Sequence, residues 1–316
     1  MPVRLAKKVG FCFGVKRAIE MAEDVLREER CAYSLGSIIH NKQVVEELSK
    51  KGLKVLDDIK KARGGCIVVS SHGISPHKAE EIKRLSFKLV DTTCPFVRNA
   101  QEMASRLKSE GHRVIIAGDE NHPEVRALLD FAGKGACVVK DAAGIRKLKI
   151  KPDEKIGILS QTTQAMDSFL SVIKAAMEAA PASLRVFNTI CKDAQERQAA
   201  AKDIARQVDL MLIVGGKSSA NTKRLYEVCK KMLGGSYLVE TEKDIKDAWF
   251  KGVGSVGITS GASTPDRVVE KVVKRVETKV KLRINPTLRL EKFPERSRNS
   301  LGVSEGKSKG KEGCKR

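Results

Sequence analysis

The sequence predicts an α/β protein of three pseudo-symmetric lobes: a trefoil in which each lobe is a small parallel sheet flanked by helices, arranged around a central cavity. Three observations predict it. Cys12, Cys94 and Cys191 each end a short apolar run and open a helix-like segment. His40, His122 and Ser219 follow those cysteines at one constant interval of 28 residues. Successive strand-like runs are separated by helix-length segments, as parallel pairing requires, because a parallel crossover takes about a dozen residues.

The first unit starts at Val9–Cys12 and continues into a helical pattern over Phe13–Arg30, with Val15, Ile19, Ala22, Val25 and Leu26 on one face. A strand follows at Ala32–Leu35, a loop at Gly36–Asn41, a helix at Gln43–Lys51, and strands at Leu53–Leu56 and Cys66–Ser70, ending in Ser71-His72-Gly73. The second unit repeats this order. Lys88–Val90 precedes Cys94-Pro95, a helix carries Val97, Ala100, Met103, Ala104 and Leu107, and Val114–Ala117 leads into the loop Gly118–Glu124. Strands at Ala136–Val139 and Ile156–Leu159 then bring the chain to Gln161-Thr162-Thr163. The third unit runs from Arg185–Phe187 through Cys191 and Leu210–Val214 to the loop holding Ser219 and Asn221, then through Tyr237–Val239 and Val256–Thr259 to Gly261-Ala262-Ser263. The lobes are expected at residues 13–94, 95–187 and 188–284, the last completed by 1–12, with a basic, disordered tail at 285–316.

Composition bounds the function. The formal charge is +21, of which the stretch from Glu291 contributes +4 through eight Lys/Arg against four acids. The rest is spread along the chain as a basic surface suited to an anionic substrate or an acidic protein partner. Aromatic residues make up only 4%, which argues against stacking platforms for nucleic acid, and there is no dense basic block or nucleic-acid motif. No apolar run approaches the ~20 residues of a membrane span, and Val9–Val15 is too short for a secretion signal. The expected location is the cytoplasm, where eight cysteines are thiols or metal ligands rather than disulfides.

A helix N-terminus favours a thiolate, so Cys12, Cys94 and Cys191 are the candidate metal ligands. No C-x-x-C pair of a closed zinc site occurs. Three thiolates from distant loops leave one position open, on a zinc ion or on one iron of a [4Fe–4S] cluster. Cys31, Cys66, Cys137 and Cys229 read as packing residues, and Cys314 as incidental. The polar loops hold His40, His72, His122, Ser219, Asn221 and Ser263, several of them just before helices. Backbone N–H groups with neutral donors at helix N-termini make an anion site for phosphate or diphosphate without a Walker-type lysine. His77 and His112 lie outside the pattern and are expected at the surface. Glu124 is the one acid among these donors; beside a diphosphate its pKa rises, which suits a proton donor.

Taken in order, the motifs Gly10-Phe11-Cys12-Phe13-Gly14-Val15, Ile39-His40-Asn41, Ser71-His72-Gly73, Asp91-Thr92-Thr93-Cys94-Pro95, Asn121-His122-Pro123-Glu124-Val125, Gln161-Thr162-Thr163, Asn188-Thr189-Ile190-Cys191, Ser219-Ala220-Asn221 and Gly261-Ala262-Ser263-Thr264-Pro265-Asp266 resemble the 4-hydroxy-3-methylbut-2-enyl diphosphate reductase (LytB/IspH) family over about residues 9–280. The resemblance implies a trefoil fold and one [4Fe–4S] cluster held by Cys12, Cys94 and Cys191 with one open iron site. It implies reductive removal of the allylic hydroxyl, giving isopentenyl and dimethylallyl diphosphates in the last step of the non-mevalonate pathway. Glu124 takes proton delivery in that reading, and Thr162 orients the hydroxyl or a relay water. His40, His72, His122, Ser219, Asn221 and Ser263 hold the diphosphate, and reduced ferredoxin or flavodoxin supplies electrons. The chain departs from the family's usual residues at Phe13, Ala194 and Ala220. Two other classes stand beside this one: a zinc-thiolate hydrolase of a phosphorylated substrate, and a basic nucleic-acid-binding module.

Overall fold

The computed structural model describes residues 2–29 and 32–281; Cys31, Cys314 and the expected tail lie outside the described residues. A short strand β1 (Val3–Leu5) leads to α1 (Phe13–Glu28). The first full unit then runs β2 (Ala32–Leu35), α2 (Lys42–Lys50), β3 (Leu53–Leu56), β4 (Cys66–Val69), α3 (Pro76–Arg84) and β5 (Lys88–Asp91). The second contains α4 (Pro95–Ser109), β6 (Arg113–Ala117), α5 (Pro123–Ala132), β7 (Cys137–Val139), α6 (Ala142–Lys147), β8 (Lys155–Ser160), α7 (Met166–Glu178) and β9 (Ser183–Phe187). The third contains α8 (Lys192–Ala205), β10 (Leu210–Val214), α9 (Ala220–Met232), β11 (Ser236–Val239), β12 (Val256–Ser260) and α10 (Asp266–Lys281).

These strands form three four-stranded sheets with the orders β3-β2-β4-β5, β7-β6-β8-β9 and β11-β10-β12-β1, and every pairing is parallel. The third sheet repeats the order of the other two only because β1 supplies its last strand. Val3, Arg4 and Leu5 pair with Val256, Gly257 and Ile258. The two ends of the folded region are thereby joined, and the α/β trefoil expected from the repeat is the observed architecture.

Parallel sheets are covered on both faces, so alternate residues of one strand feed two cores. In β10, Leu210, Leu212 and Val214 pack with α10, whereas Met211 and Ile213 pack with Leu225 and Cys229 of α9. In the second lobe Ile115 and Ala117 join Phe169 and Val172 on one face, while Val114 and Ile116 join Leu107 and Leu128 on the other. Fully burying one such Ile or Leu contributes about 1.5–3 kcal/mol. Cys66 and Cys229 are buried in these cores and Cys137 is half-buried beside one of them, as packing residues.

Two local expectations need correction. The first helix stops at Glu28, two residues short of Arg30, because Glu29 is extended (φ −102°, ψ 138°) and its N–H still bonds the Val25 carbonyl. His112 is half-buried rather than exposed, and its Nδ1 is buried without a hydrogen-bond partner; His77 is exposed. Among the described residues no helix is long and apolar enough to cross a membrane.

Candidate functional site

Each of the three repeated cysteines lies where the chain leaves one sheet and enters the next lobe. Cys94 follows β5, Cys191 follows β9, and Cys12 follows β1. The three backbone N–H groups are tied in the same way. Cys12 donates to the Ala262 carbonyl (3.0 Å), Cys94 to that of Ser71 (3.1 Å) and Cys191 to that of Thr162 (2.9 Å). The acceptors stand at one repeated place, two residues past the ends of β12, β4 and β8. Strand order therefore brings three residues remote in sequence to the rim of one cavity that opens to solvent.

The cysteines are the N-caps of α1, α4 and α8. Cys12 Sγ accepts from the Val15 N–H at 3.4 Å and Cys191 Sγ from that of Ala194 at 3.3 Å. Gly14 has no room for a side chain, since a Cβ there would lie 2.5 Å from Cys94 Sγ. The helix-start N–H groups favour the thiolate form, as expected, but they act against burial. Burial pushes all three thiols up, Cys191 to about 12, and outweighs the N–H bonds that pull the other way. Three converging thiols of this kind need a cationic centre to ionise, and that donor set fits a metal with three thiolate ligands.

The rest of the cavity is lined by the histidines, Glu124 and neutral donors named above. His40, His72 and His122 form one cluster, with ring centroids 4.3 Å apart for His40 and His72 and 5.3 Å for each pair with His122. Burial lowers the pKa of all three, that of His122 to about 4 and that of His72 well below the usual imidazole value, so the imidazoles are neutral at pH 7. Their nitrogens lie within 4.8 Å of one another, a spacing that raises the question of a second metal. His122 answers it. Its Nδ1 caps α5 by accepting the Glu124 N–H (3.3 Å), so in the neutral ring Nε2 carries the proton and donates. Such a group faces an anionic oxygen, not a cation.

His40 Nε2 and both side-chain polar atoms of Asn221 are buried without a protein partner. Leaving such groups unpaired costs about 1–3 kcal/mol each, and a ligand with several oxygens removes that cost. Ser219 caps α9 through the Thr222 N–H, and the Ser263 hydroxyl reaches both Ser219 Oγ (3.4 Å) and the His40 carbonyl (3.3 Å). Glu124 is only 1% exposed. Burial pushes its carboxyl up to about 7, against two bonds from Thr162: the N–H to Oε1 at 2.6 Å and the hydroxyl to Oε2 at 2.8 Å.

The cavity contains residues that the sequence reading did not name as site residues. Thr163 lines it from the loop position that His72 and Ser263 hold in the other lobes, so the repeat register was the available signal. Asp193 lines it too, held by the buried Arg197, whose Nε lies 2.6 Å from Asp193 Oδ2. Lys223 is an exposed cation of α9 near enough to help depress the His40 and His122 pKa values, and it has no ion-pair partner among the described residues.

The family model described as "LytB protein" matches residues 3–277. A 4-hydroxy-3-methylbut-2-enyl diphosphate reductase of Pelobacter propionicus is 43% identical over 276 residues, covering 87% of this chain and 98% of its own. The enzyme of the same name from Geobacter metallireducens is 44% identical over 279 residues, covering 87% and 97%. The solved Plasmodium falciparum E-1-hydroxy-2-methyl-but-2-enyl-4-diphosphate reductase superposes with a TM-score of 0.82 at 27% identity, covering 94% of this chain and 95% of that one. A second solved structure, described as the terminal enzyme of the non-mevalonate pathway, gives 0.61 at 36% identity, covering 88% and 100%. By sequence and fold together, the chain belongs to the LytB family.

Proposed function

We propose that the protein is the reductase that converts 4-hydroxy-3-methylbut-2-enyl diphosphate to isopentenyl and dimethylallyl diphosphates, the last step of the non-mevalonate pathway, using a [4Fe–4S] cluster held by Cys12, Cys94 and Cys191. One observation supports this above the others: three helix-capping thiols share a cavity with a buried set of neutral anion donors and one buried acid. When bound, the cluster would relay two electrons, one at a time, from the donor protein and would supply an iron with an open coordination position. The reaction breaks the C–O bond, places two electrons and a proton on the allylic carbons, and releases the oxygen as water with a second proton.

The chain's own residues prepare that chemistry. His122 Nε2–H, His40, His72, Ser219, Asn221 and Ser263 hold the diphosphate through neutral donors, several of them otherwise unpartnered. Because those donors are neutral, the two phosphates keep their charge, and that negative field holds the neighbouring Glu124 carboxyl protonated. Glu124 then gives its proton to the departing hydroxyl oxygen. Thr162, bonded to both carboxyl oxygens, fixes the rotamer of Glu124 and orients the hydroxyl or a relay water. A reduced ferredoxin or flavodoxin is the electron donor, and the reaction takes place in the cytoplasm.

Anaerobic purification followed by iron, sulfide and turnover measurements tests this reading. A brown protein with about four irons that turns over the diphosphate with a strong reductant is the expected result. A colourless protein carrying one zinc and hydrolysing a phosphorylated substrate would overturn it.

A further inference from the structure

Two exposed aromatic rings flank the thiol end of the cavity. Phe13 is the first residue of α1, directly after Cys12, and is 65% exposed. Phe96 is the second residue of α4, directly after Cys94-Pro95, and is 42% exposed. The two helix starts touch, since Gly14 lies against Cys94 Sγ. The two rings thus rise from adjoining helix starts, and a contiguous exposed apolar patch is the mark of an interaction site.

The charges around them are unusual in sign. The first turn of a helix favours acids, because the backbone dipole is positive there. Neither α1 nor α4 has an acid in its first turn. Lys16, Arg98 and Lys192 stand instead in the fourth, fourth and first positions of the three cysteine-capped helices. Arg98 pairs with Asp91 at 2.7 Å, whereas Lys16 and Lys192 make only long contacts with Glu20 (3.7 Å) and Glu196 (3.9 Å) and stay exposed. Arg17 bonds only the carbonyls of Thr92 and Thr93, and neither it nor Lys7 has a carboxylate partner among the described residues. Asp193 offsets the dipole of α8, but Arg17, Lys7 and the loosely held Lys16 and Lys192 leave this face with an excess of positive charge that an external negative surface complements.

We infer that the face formed by the first turns of α1, α4 and α8 is the docking surface for an acidic one-electron carrier protein, with Phe13 and Phe96 as its apolar centre and Lys16, Arg98 and Lys192 as its charged rim. The inference rests on the reductase reading and adds the place where electrons enter. An aromatic centre with a cationic rim is the anatomy of a small, transient interface, the kind used between redox partners. Docking there brings the carrier against the residues that directly follow two of the three thiols. Two reduced carriers each give one electron, the allylic C–O bond takes both with two protons, and water and two oxidised carriers leave.

The test compares two reductants on the cluster-loaded protein. Turnover is measured with a reduced ferredoxin and, separately, with dithionite and methyl viologen, for the unaltered protein, Phe13→Ser and Lys16→Glu. Binding of oxidised ferredoxin is followed by calorimetry at low and high salt. Each variant is expected to lose ~10-fold or more in kcat/KM for ferredoxin and in ferredoxin affinity while keeping its viologen-driven rate, and the loss in Lys16→Glu shrinks with salt. Unchanged ferredoxin affinity and kinetics in both variants overturn the inference. Equal losses with both reductants also overturn it, because the residues would then be acting on the centre itself. An unaltered protein inactive with either reductant removes the reductase reading instead.

Discussion

The two ends of the 28-residue interval differ in kind. At one end stand three identical residues, each a helix N-cap, each with its N–H bonded at 2.9–3.1 Å to the equivalent carbonyl of the preceding unit. At the other end stand His40, His122 and Ser219, and the position two residues further on has diverged more. It is Lys42, almost fully exposed, in the first unit, buried Glu124 in the second, and buried Asn221 in the third. On the proposed reading, symmetry is kept where three equal ligands would serve one centre, and broken where an extended substrate would present a different group to each lobe. Removing a residue from the symmetric end should therefore abolish the centre, while a change at the divergent end should remove one function at a time.

The largest effect is expected from Cys94→Ser. The serine keeps the helix start, which already has Pro95 and no side-chain cap bond, but supplies a poor ligand. Iron content and turnover should both vanish while the circular dichroism spectrum is kept; a full four-iron cluster in this variant would contradict the ligand assignment.

Glu124→Gln tests the divergent end. Glutamine retains the volume and can accept a bond from Thr162, but it has no acidic proton. Turnover should fall by ~10²–10⁴ with KM and iron content little changed. The pH profile gives the sign independently. Burial raises the Glu124 pKa to about 7, so the group is protonated below that value and ionised above it. The kcat of the unaltered protein should fall on the alkaline side, and a profile flat through pH 7–9 would remove Glu124 from proton delivery.

Much of this architecture was legible in the sequence because it is written in local patterns. The strands alternate their packing residues and the interval recurs three times, so the order of elements and the convergence of Cys12, Cys94 and Cys191 could be read directly. What was not legible depends on contacts remote along the chain. Val3–Leu5 is too short to announce itself as a strand and acquires that role only by pairing with Val256–Ile258. The sequence shows the helix that follows Cys191 but not the burial that pushes its thiol up to about 12. Arg197 reads as an ordinary charge on a helix, yet it is 1% exposed and paired with Asp193. Thr163 needed only the register of three loops to be compared.

Asn221→Ala should have a moderate effect. Both amide atoms are buried without a protein partner, so the variant loses ligand bonds without leaving an unsatisfied protein group behind. One or two hydrogen bonds to a charged ligand correspond to about 1.5–3 kcal/mol each, and KM for the diphosphate should rise ~10-fold or more. Because the amide has no acidic proton to deliver, kcat should change much less; an equal fall in kcat would place Asn221 in the chemistry rather than in binding.

The smallest effect is expected at Lys223, and it separates binding by contact from binding by field. The divergent end is built almost wholly of neutral donors, which hold a diphosphate but do not attract it from a distance. Lys223 is an exposed cation with no ion-pair partner among the described residues, and its charge already reaches His40 and His122. It can raise the encounter rate without touching the bound ligand. Lys223→Ala should lower kcat/KM by ~2–5-fold at low ionic strength and leave kcat unchanged. The difference should fade as salt shortens the screening length to about 3 Å near 1 M. A loss that persists at high salt would mean that the ammonium group contacts the diphosphate, and the contrast between a cationic thiol face and a neutral diphosphate pocket would have to be redrawn.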